Sequence, residues 1–411
     1  MAFLILLLIY LILYYIFFSN NNFSRKSFKS PFLTIFIFSI VFLIISIIFG
    51  LINNNFANWE DIENYKEWMK RINLGENIGK DPSFSILLNL FNTFFIGYDF
   101  TIKILLPLLI ILIYLISLVM MLPQYSLAII SGFFLILPAQ IVQESIFSSM
   151  RFGLATSLSF LSLGLIINFV RCNPNLKNLV INKTNIQKLS LIIIFVSLSI
   201  TTHIGSIIFF FLIIISALID FIFNLFITNF KKIPFFIKFS FVHLIAFLSI
   251  FYVFNISQID ISFLMNLPGF YRIQNYIVKT PLSEIILNLH IPPVHRSLVY
   301  ISVFSYFYFI NSFVRFKYPT NLNKFVNILS ICSIINLILV FSPISLIYPI
   351  VIRISIYALI ALAFTSSTIG YRLSHINKYS IIKNYYQMIK VPSFILINLF
   401  SLYCLISFIN N

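Results

Sequence analysis

Residues 189–228 read LSLIIIFVSLSITTHIGSIIFFFLIIISALIDFIFNLFIT, an apolar run with one polar cluster at Thr201, Thr202, His203 and Gly205. A helix rises 1.5 Å per residue and a hydrocarbon core is about 30 Å thick, so the run is too long for one crossing. It therefore reads as two segments, 189–203 and 204–226, that meet at His203. The first is short, which leaves room for a re-entrant tip at that histidine.

Working outward, further apolar runs of membrane length fall at 2–18, 31–52, 101–122, 125–142, 151–170, 235–255, 297–314, 324–341, 346–366 and 392–409. The chain is thus expected to be an all-α polytopic integral membrane protein with about twelve transmembrane helices. Hydrophobic residues make up 60% of it and charged residues 9%, which lies outside the range of a water-soluble domain. The stretches between runs are too short for an independent domain, so residues 1–411 form one membrane-embedded unit with two larger outer loops, 53–100 and 256–296. Met1 to Phe18 is apolar from its second residue, and its basic cluster comes afterwards, the pattern of a retained first span with an outside N-terminus. Cys172, Cys332 and Cys404 have no paired spacing, so neither a disulfide framework nor a zinc site is expected.

Charge assigns the faces. With both ends outside, one set of alternate loops carries Arg25, Lys26, Lys29, then Arg171, Lys177, Lys183, Lys188, then Lys231, Lys232, Lys238, then Arg315, Lys317, Lys324, and last Arg372, Lys378, Lys383, Lys390. Asp220 is the one acid on that side. The net charge of +16 therefore belongs to a face that the positive-inside rule makes cytoplasmic. A basic excess spread over short loops is a topology signal facing anionic lipid, and no nucleic-acid partner is expected. Function is to be sought on the opposite, charge-balanced side.

That side opens with NNNFANWEDIENYKEWMKRINLGENIGKDPS, residues 53–83. Asp61 to Arg71 predicts an amphipathic helix with Ile62, Tyr65, Trp68, Met69 and Ile72 on one side. Trp59 and Trp68 suit the headgroup level, so the helix is expected to lie on the membrane surface. Residues 83–96 are too short to span and predict a partly inserted helix. The second outer loop carries Arg272, Lys279, Glu284, His290, His295 and Arg296.

Three residues stand in otherwise apolar surroundings near that face: Arg151, His203 and Arg353. A cation at such depth costs about 2.5 to 3.5 kcal/mol on translocon scales, and it usually lines a cavity or holds an anion. Arg151 reads either as an interfacial arginine that snorkels or as a planar fork for a phosphate oxygen. Arg353 lies deeper in its run, and with Arg151 and the loop residue Arg272 it could neutralise a diphosphate. His203 reads either as a buried hydrogen-bonding histidine or as a proton acceptor. Asp61 and Asp81 are either solvated loop carboxylates or groups that orient or deprotonate an acceptor. No DxD motif, glycine-rich nucleotide loop, HExxH or cysteine cluster occurs, so no metal and no cofactor is expected.

Several short elements, in order, resemble the EpsG/Wzy-type family of polysaccharide polymerases. They are Asp61-x-x-x-Tyr65, Asp81-Pro82-Ser83-Phe84, Met150-Arg151-Phe152-Gly153-Leu154-Ala155, His203 with a small residue two positions on, and Arg353-Ile354-Ser355-Ile356-Tyr357. Many relatives carry Gln after the arginine of the third element, where this chain has Phe152. The resemblance implies an enzyme of the bacterial cytoplasmic (inner) membrane that joins undecaprenyl-diphosphate-linked oligosaccharide repeats into O-antigen, capsule or exopolysaccharide on the outer side. Arg151, Arg353 and Arg272 would bind the diphosphate, with Tyr65 and Asp81 also on the substrate, and His203 or Asp61 would accept the proton. Donor and acceptor are lipid-linked oligosaccharides, and a chain-length regulator and a flippase are the further partners it implies. The rivals are a lipid-linked oligosaccharide flippase, an O-antigen ligase and, more distantly, a membrane acyltransferase.

Overall fold

The computed structural model describes residues 31–52, 60–76, 81–94, 97–121, 133, 140–172, 183–230 and 356–357. The expected spans 2–18, 235–255, 297–314, 324–341 and 392–409, the loop 256–296 with Arg272, and Arg353 lie outside these residues, as does most of 125–142 and 346–366. Among the described residues every regular element is a helix: α1 (Pro31–Ile52), α2 (Glu60–Asn73), α3 (Pro82–Thr93), α4 (Tyr98–Met121), α5 (Gln140–Phe147), α6 (Met150–Cys172), α7 (Lys183–Thr202) and α8 (Ser206–Phe230). Among the described residues three stretches are long and apolar enough to cross a membrane, Tyr98–Met121, Met150–Val170 and Asn185–Thr202.

The described residues up to Phe210 belong to one compact unit, and those from Phe211 onward belong to a second. The first is built around α6. Of its spanning stretch 72% is buried, against 17% for α7, so α6 is the core helix and α7 presents most of its surface outward. The outward side of α7 carries Ile186, Leu189, Leu191, Ile193, Ile194 and Leu198, all exposed and apolar, as a lipid-facing helix requires.

Small residues let α6 approach its neighbours closely. A Cβ on Gly153 would lie 1.8 Å from the Ser145 carbonyl oxygen of α5, and one on Gly164 would lie 2.7 Å from the Ser117 carbonyl oxygen of α4. Such backbone approach is how helices gain dispersion energy where lipid removes the hydrophobic drive to associate. The buried hydroxyls between the helices are satisfied locally: Thr156 and Ser159 donate to carbonyls four residues back, Ser157 and Ser162 to carbonyls three back. Ser199 of α7 donates to the Ala155 carbonyl at 2.9 Å and lies 2.6 Å from Ser159 Oγ, so the α6–α7 seam is also stitched by hydrogen bonds.

Two features at the ends of the helices differ from the sequence expectation. The helix before His203 begins at Lys183, so its apolar part runs from Asn185 to Thr202 and reaches crossing length. The polar turn Lys183–Lys188 continues the helix instead of preceding it, and a re-entrant tip is not needed. The amphipathic helix α2 also forms, but Ile62, Tyr65 and Met69 are buried against protein, because α2 packs on α3 and on the start of α4. Its apolar side covers the ends of other helices and does not face lipid.

The start of α4 holds α2 in that position. Lys66 pairs with Glu63 at 3.1 Å and with Asp99 at 3.4 Å, Lys103 pairs with Asp99 at 3.1 Å, and the Asn73 amide donates to the Tyr98 hydroxyl. Hydrogen bonding to Glu63, with Asp99 behind it, holds the Lys66 ammonium above its ordinary pKa. A π turn at Thr101–Leu105 follows, a wider coil that places Lys103 beside Asp99 before the regular helix continues.

Candidate functional site

The starts of α3 and α6 meet under α2, and the end of α7, with its turn into α8, adjoins them. Arg151 is the second residue of α6, where backbone N–H groups have no partner within the helix. Its own N–H donates to the Tyr65 hydroxyl of α2 at 3.5 Å, a long contact. Its side chain turns toward α3, and Nη1 donates to Asp81 Oδ2 at 2.6 Å.

The aromatic side of α2 covers this ion pair. The guanidinium carbon lies 4.7 Å from the centroid of the Trp68 ring and 5.8 Å from that of Tyr65. Phe84 of α3 packs against Tyr65 at 5.4 Å and against Trp68 at 6.4 Å, so three rings make one wall. A cation over such faces gains about 0.5 to 2 kcal/mol, depending on how dry the site is. The pair is partly dry, with side chains 26% exposed for Arg151 and 18% for Asp81.

Asp81 reaches Arg151 at a local cost. It is the N-cap of α3, followed by Pro82 at the first helical position, and its carbonyl accepts the Ser85 N–H at 3.1 Å. An aspartate there ordinarily turns its carboxylate onto its own helix. Here no such bond forms, and the backbone is left-handed at φ 51, ψ 69, the sole non-glycine residue with positive φ among those described. Left-handed backbone costs an L-residue about 1 to 2 kcal/mol, least for Asp and Asn. The carboxylate serves Arg151 in place of the helix.

His203 lies one ring away. Its imidazole meets Phe152 edge to face at 5.7 Å, with Phe152 following Arg151 on α6. The Gly205 N–H donates to His203 Nδ1 at 2.9 Å, and the Ser206 N–H donates to the His203 carbonyl at 3.0 Å, so the histidine closes the turn from α7 into α8. With Nδ1 accepting, the neutral ring carries its proton on Nε2. Beside it, Ser83 Oγ of α3 and Thr201 Oγ1 of α7 are 2.6 Å apart and tie the two helix ends together.

Of the residues singled out in the sequence, Arg151 thus contacts both Tyr65 and Asp81, and His203 adjoins it through Phe152. Asp61 is on α2, one turn before Tyr65. Arg272 and Arg353 lie outside the described residues. Trp68, expected at the headgroup level, is the ring closest over Arg151. Its signal was its place three residues after Tyr65 on the same apolar stripe. Among the described residues no group of three or more His, Cys, Asp or Glu could hold a metal ion. Comparisons with protein-family models, with curated proteins and with solved structures found no match to this chain.

Proposed function

We propose that this chain is a membrane glycosyltransferase that polymerises polyprenyl-diphosphate-linked oligosaccharide repeats at the outer face of the bacterial cytoplasmic membrane. The observation that carries the reading is the Arg151–Asp81 pair, a partly exposed guanidinium held under Trp68 and Tyr65 where helix ends meet. A polyprenyl diphosphate stays anchored in lipid while its charged head sits at the level of such helix ends. A fork-shaped cation at that level suits phosphoryl oxygens.

In the reaction, a hydroxyl oxygen of the acceptor saccharide attacks the anomeric carbon of the donor saccharide. The bond from that carbon to the diphosphate oxygen breaks, and the polyprenyl diphosphate leaves as the dianion or trianion. Arg151 stabilises the charge gathering on the leaving group, joined in this proposal by Arg353 and Arg272, and such preorganised charge is usually the largest catalytic term. The hydroxyl proton passes to a carboxylate, for which Asp61 is the first choice. His203 Nδ1 already accepts the Gly205 N–H, so a ring with its proton on Nε2 suits holding a phosphoryl oxygen better than taking up a proton.

The test is reconstitution of the purified chain with lipid-linked repeat units and a gel of the products. A ladder of lengths supports polymerisation. Transfer of preformed polymer to a different lipid acceptor identifies a ligase, and movement of the substrate across the bilayer without new bonds identifies a flippase. An Arg151→Ala chain that inserts normally and still makes the ladder excludes the diphosphate role.

A further inference from the structure

Asp81 and Arg151 each carry a defect that their contact does not repair. Asp81 gives up the capping bond of α3 and holds a left-handed backbone. The Arg151 guanidinium meets Asp81 Oδ2 through Nη1 and is also hydrogen-bonded by Tyr65, while its Nε is buried and has no hydrogen-bond partner among the described residues. A guanidinium offers donors in a rigid fork, and a carboxylate that filled it would touch two of them. The fork is therefore only half used by the anion that occupies it.

The rest of the site does not depend on that carboxylate. Trp68 and Tyr65 lie over the guanidinium on the α2 side, and α2 is tied to the start of α4 through Lys66 and Asp99. Both side chains of the pair keep some exposure, while Nε itself is buried. The α3 backbone next to Asp81 retains its first-turn N–H groups, which the freed carboxylate would cap.

We propose that Asp81 is a resident competitor for Arg151: a phosphoryl ligand with two or more anionic oxygens takes over the guanidinium, filling Nε as well as Nη1, and Asp81 swings back to cap α3. The proposal rests on the reading of Arg151 as the diphosphate ligand and adds to it that the empty site is closed by its own carboxylate. Ligand capture and carboxylate release are then one event. The carboxylate leaves the guanidinium only when the diphosphate is bound, and an unoccupied site does not expose a bare cation to the headgroups of ordinary phospholipid.

Competition of this kind weakens the apparent affinity by the fraction of time the site is open. Binding of inorganic diphosphate and of farnesyl diphosphate is to be measured by calorimetry on the full chain in nanodiscs. The unaltered protein, Asp81→Asn, Asp81→Gly and Arg151→Gln are compared. Asparagine accepts the left-handed backbone and can still cap, and glycine removes the backbone strain, so both variants suit the fold. The expected result is about tenfold tighter diphosphate binding by Asp81→Asn and Asp81→Gly than by the unaltered chain, and no binding by Arg151→Gln.

Equal or weaker binding by both Asp81 variants, with unchanged helicity and elution, overturns the proposal. So does full binding by Arg151→Gln. Failure of both Asp81 variants to fold makes the carboxylate a structural anchor and overturns it as well. Much tighter binding of the farnesyl form assigns the ligand to a lipid headgroup, and equal affinity for the two probes assigns it to a soluble diphosphate. Tightening without any ladder from lipid-linked repeats removes the glycosyltransferase reading and leaves this one. A ladder without tightening does the reverse.

Discussion

Arg151 Nη1 donates to Asp81 Oδ2 at 2.6 Å across 70 residues of chain, joining the first turn of α6 to the N-cap of α3. The pair lies between the exposed case, where ion pairs contribute about 0 to 1 kcal/mol, and the buried case, where losing one partner costs about 3 to 5. Replacing either residue by alanine is expected to lower stability by about 1 to 3 kcal/mol, since the survivor keeps a partly dry charge with no counterion. The double variant should lose less than the sum of the two. Thermal unfolding of the four proteins in one detergent gives the coupling, and simple additivity would show the contact to be energetically idle.

Gly153 fixes how closely α5 and α6 approach. A methyl group there would fall 1.8 Å from the Ser145 carbonyl oxygen, closer than any repacking of side chains can relieve. Gly153→Ala should therefore force the helices apart and cost about 1 to 3 kcal/mol or more, read as a loss of folded yield and a lower melting temperature. Because the clash is with backbone, adding Ser145→Ala should not rescue it. Rescue by that second change would mean that the approach is set by the serine side chain.

The spans that the structure describes were legible because apolar length and polar punctuation are local properties. The break at His203 and the helix at 60–73 follow from the residues within them. The site was legible in part for the same reason: Arg151 is conspicuous because it opens an otherwise apolar run. What could not be read is the partnership. Asp81 resembles a solvated loop acid until α3 and α6 are brought together, and Trp68 resembles a membrane anchor until α2 is folded over the helix ends. The tautomer of His203 depends on the three-residue turn to Gly205, a matter of backbone angles that composition does not encode.

Trp68 contributes a ring face to Arg151 at 4.7 Å. Trp68→Phe retains an apolar face of smaller area, and Trp68→Ala retains none. Stability and activity should follow the order Trp, Phe, Ala, with the alanine variant losing about 0.5 to 2 kcal/mol from the cation contact in addition to its packing. If the ring positions the guanidinium for the ligand, Trp68→Ala should also weaken diphosphate binding in calorimetry. An unchanged affinity in a destabilised protein would limit the tryptophan to holding α2 in place.

His203 offers two separable functions that its variants can divide. Its Nδ1 accepts the Gly205 N–H in the turn between α7 and α8, and the rest of the ring faces Phe152. Asparagine carries an acceptor at the same branch and readily closes such a turn onto the N–H two residues on. His203→Asn should therefore keep most of the stability, while His203→Ala loses about 0.5 to 1.5 kcal/mol for the missing hydrogen bond. In the ladder assay both should be poorly active, because neither reaches as far as Nε2. Glutamine is longer and can present an N–H near that position, so His203→Gln should recover part of the activity if the histidine donates to a phosphoryl oxygen. A proton acceptor predicts instead that glutamine is as inactive as asparagine. The geometry favours the donor, because a ring whose Nδ1 is already engaged has no second lone pair to offer until the Nε2 proton leaves.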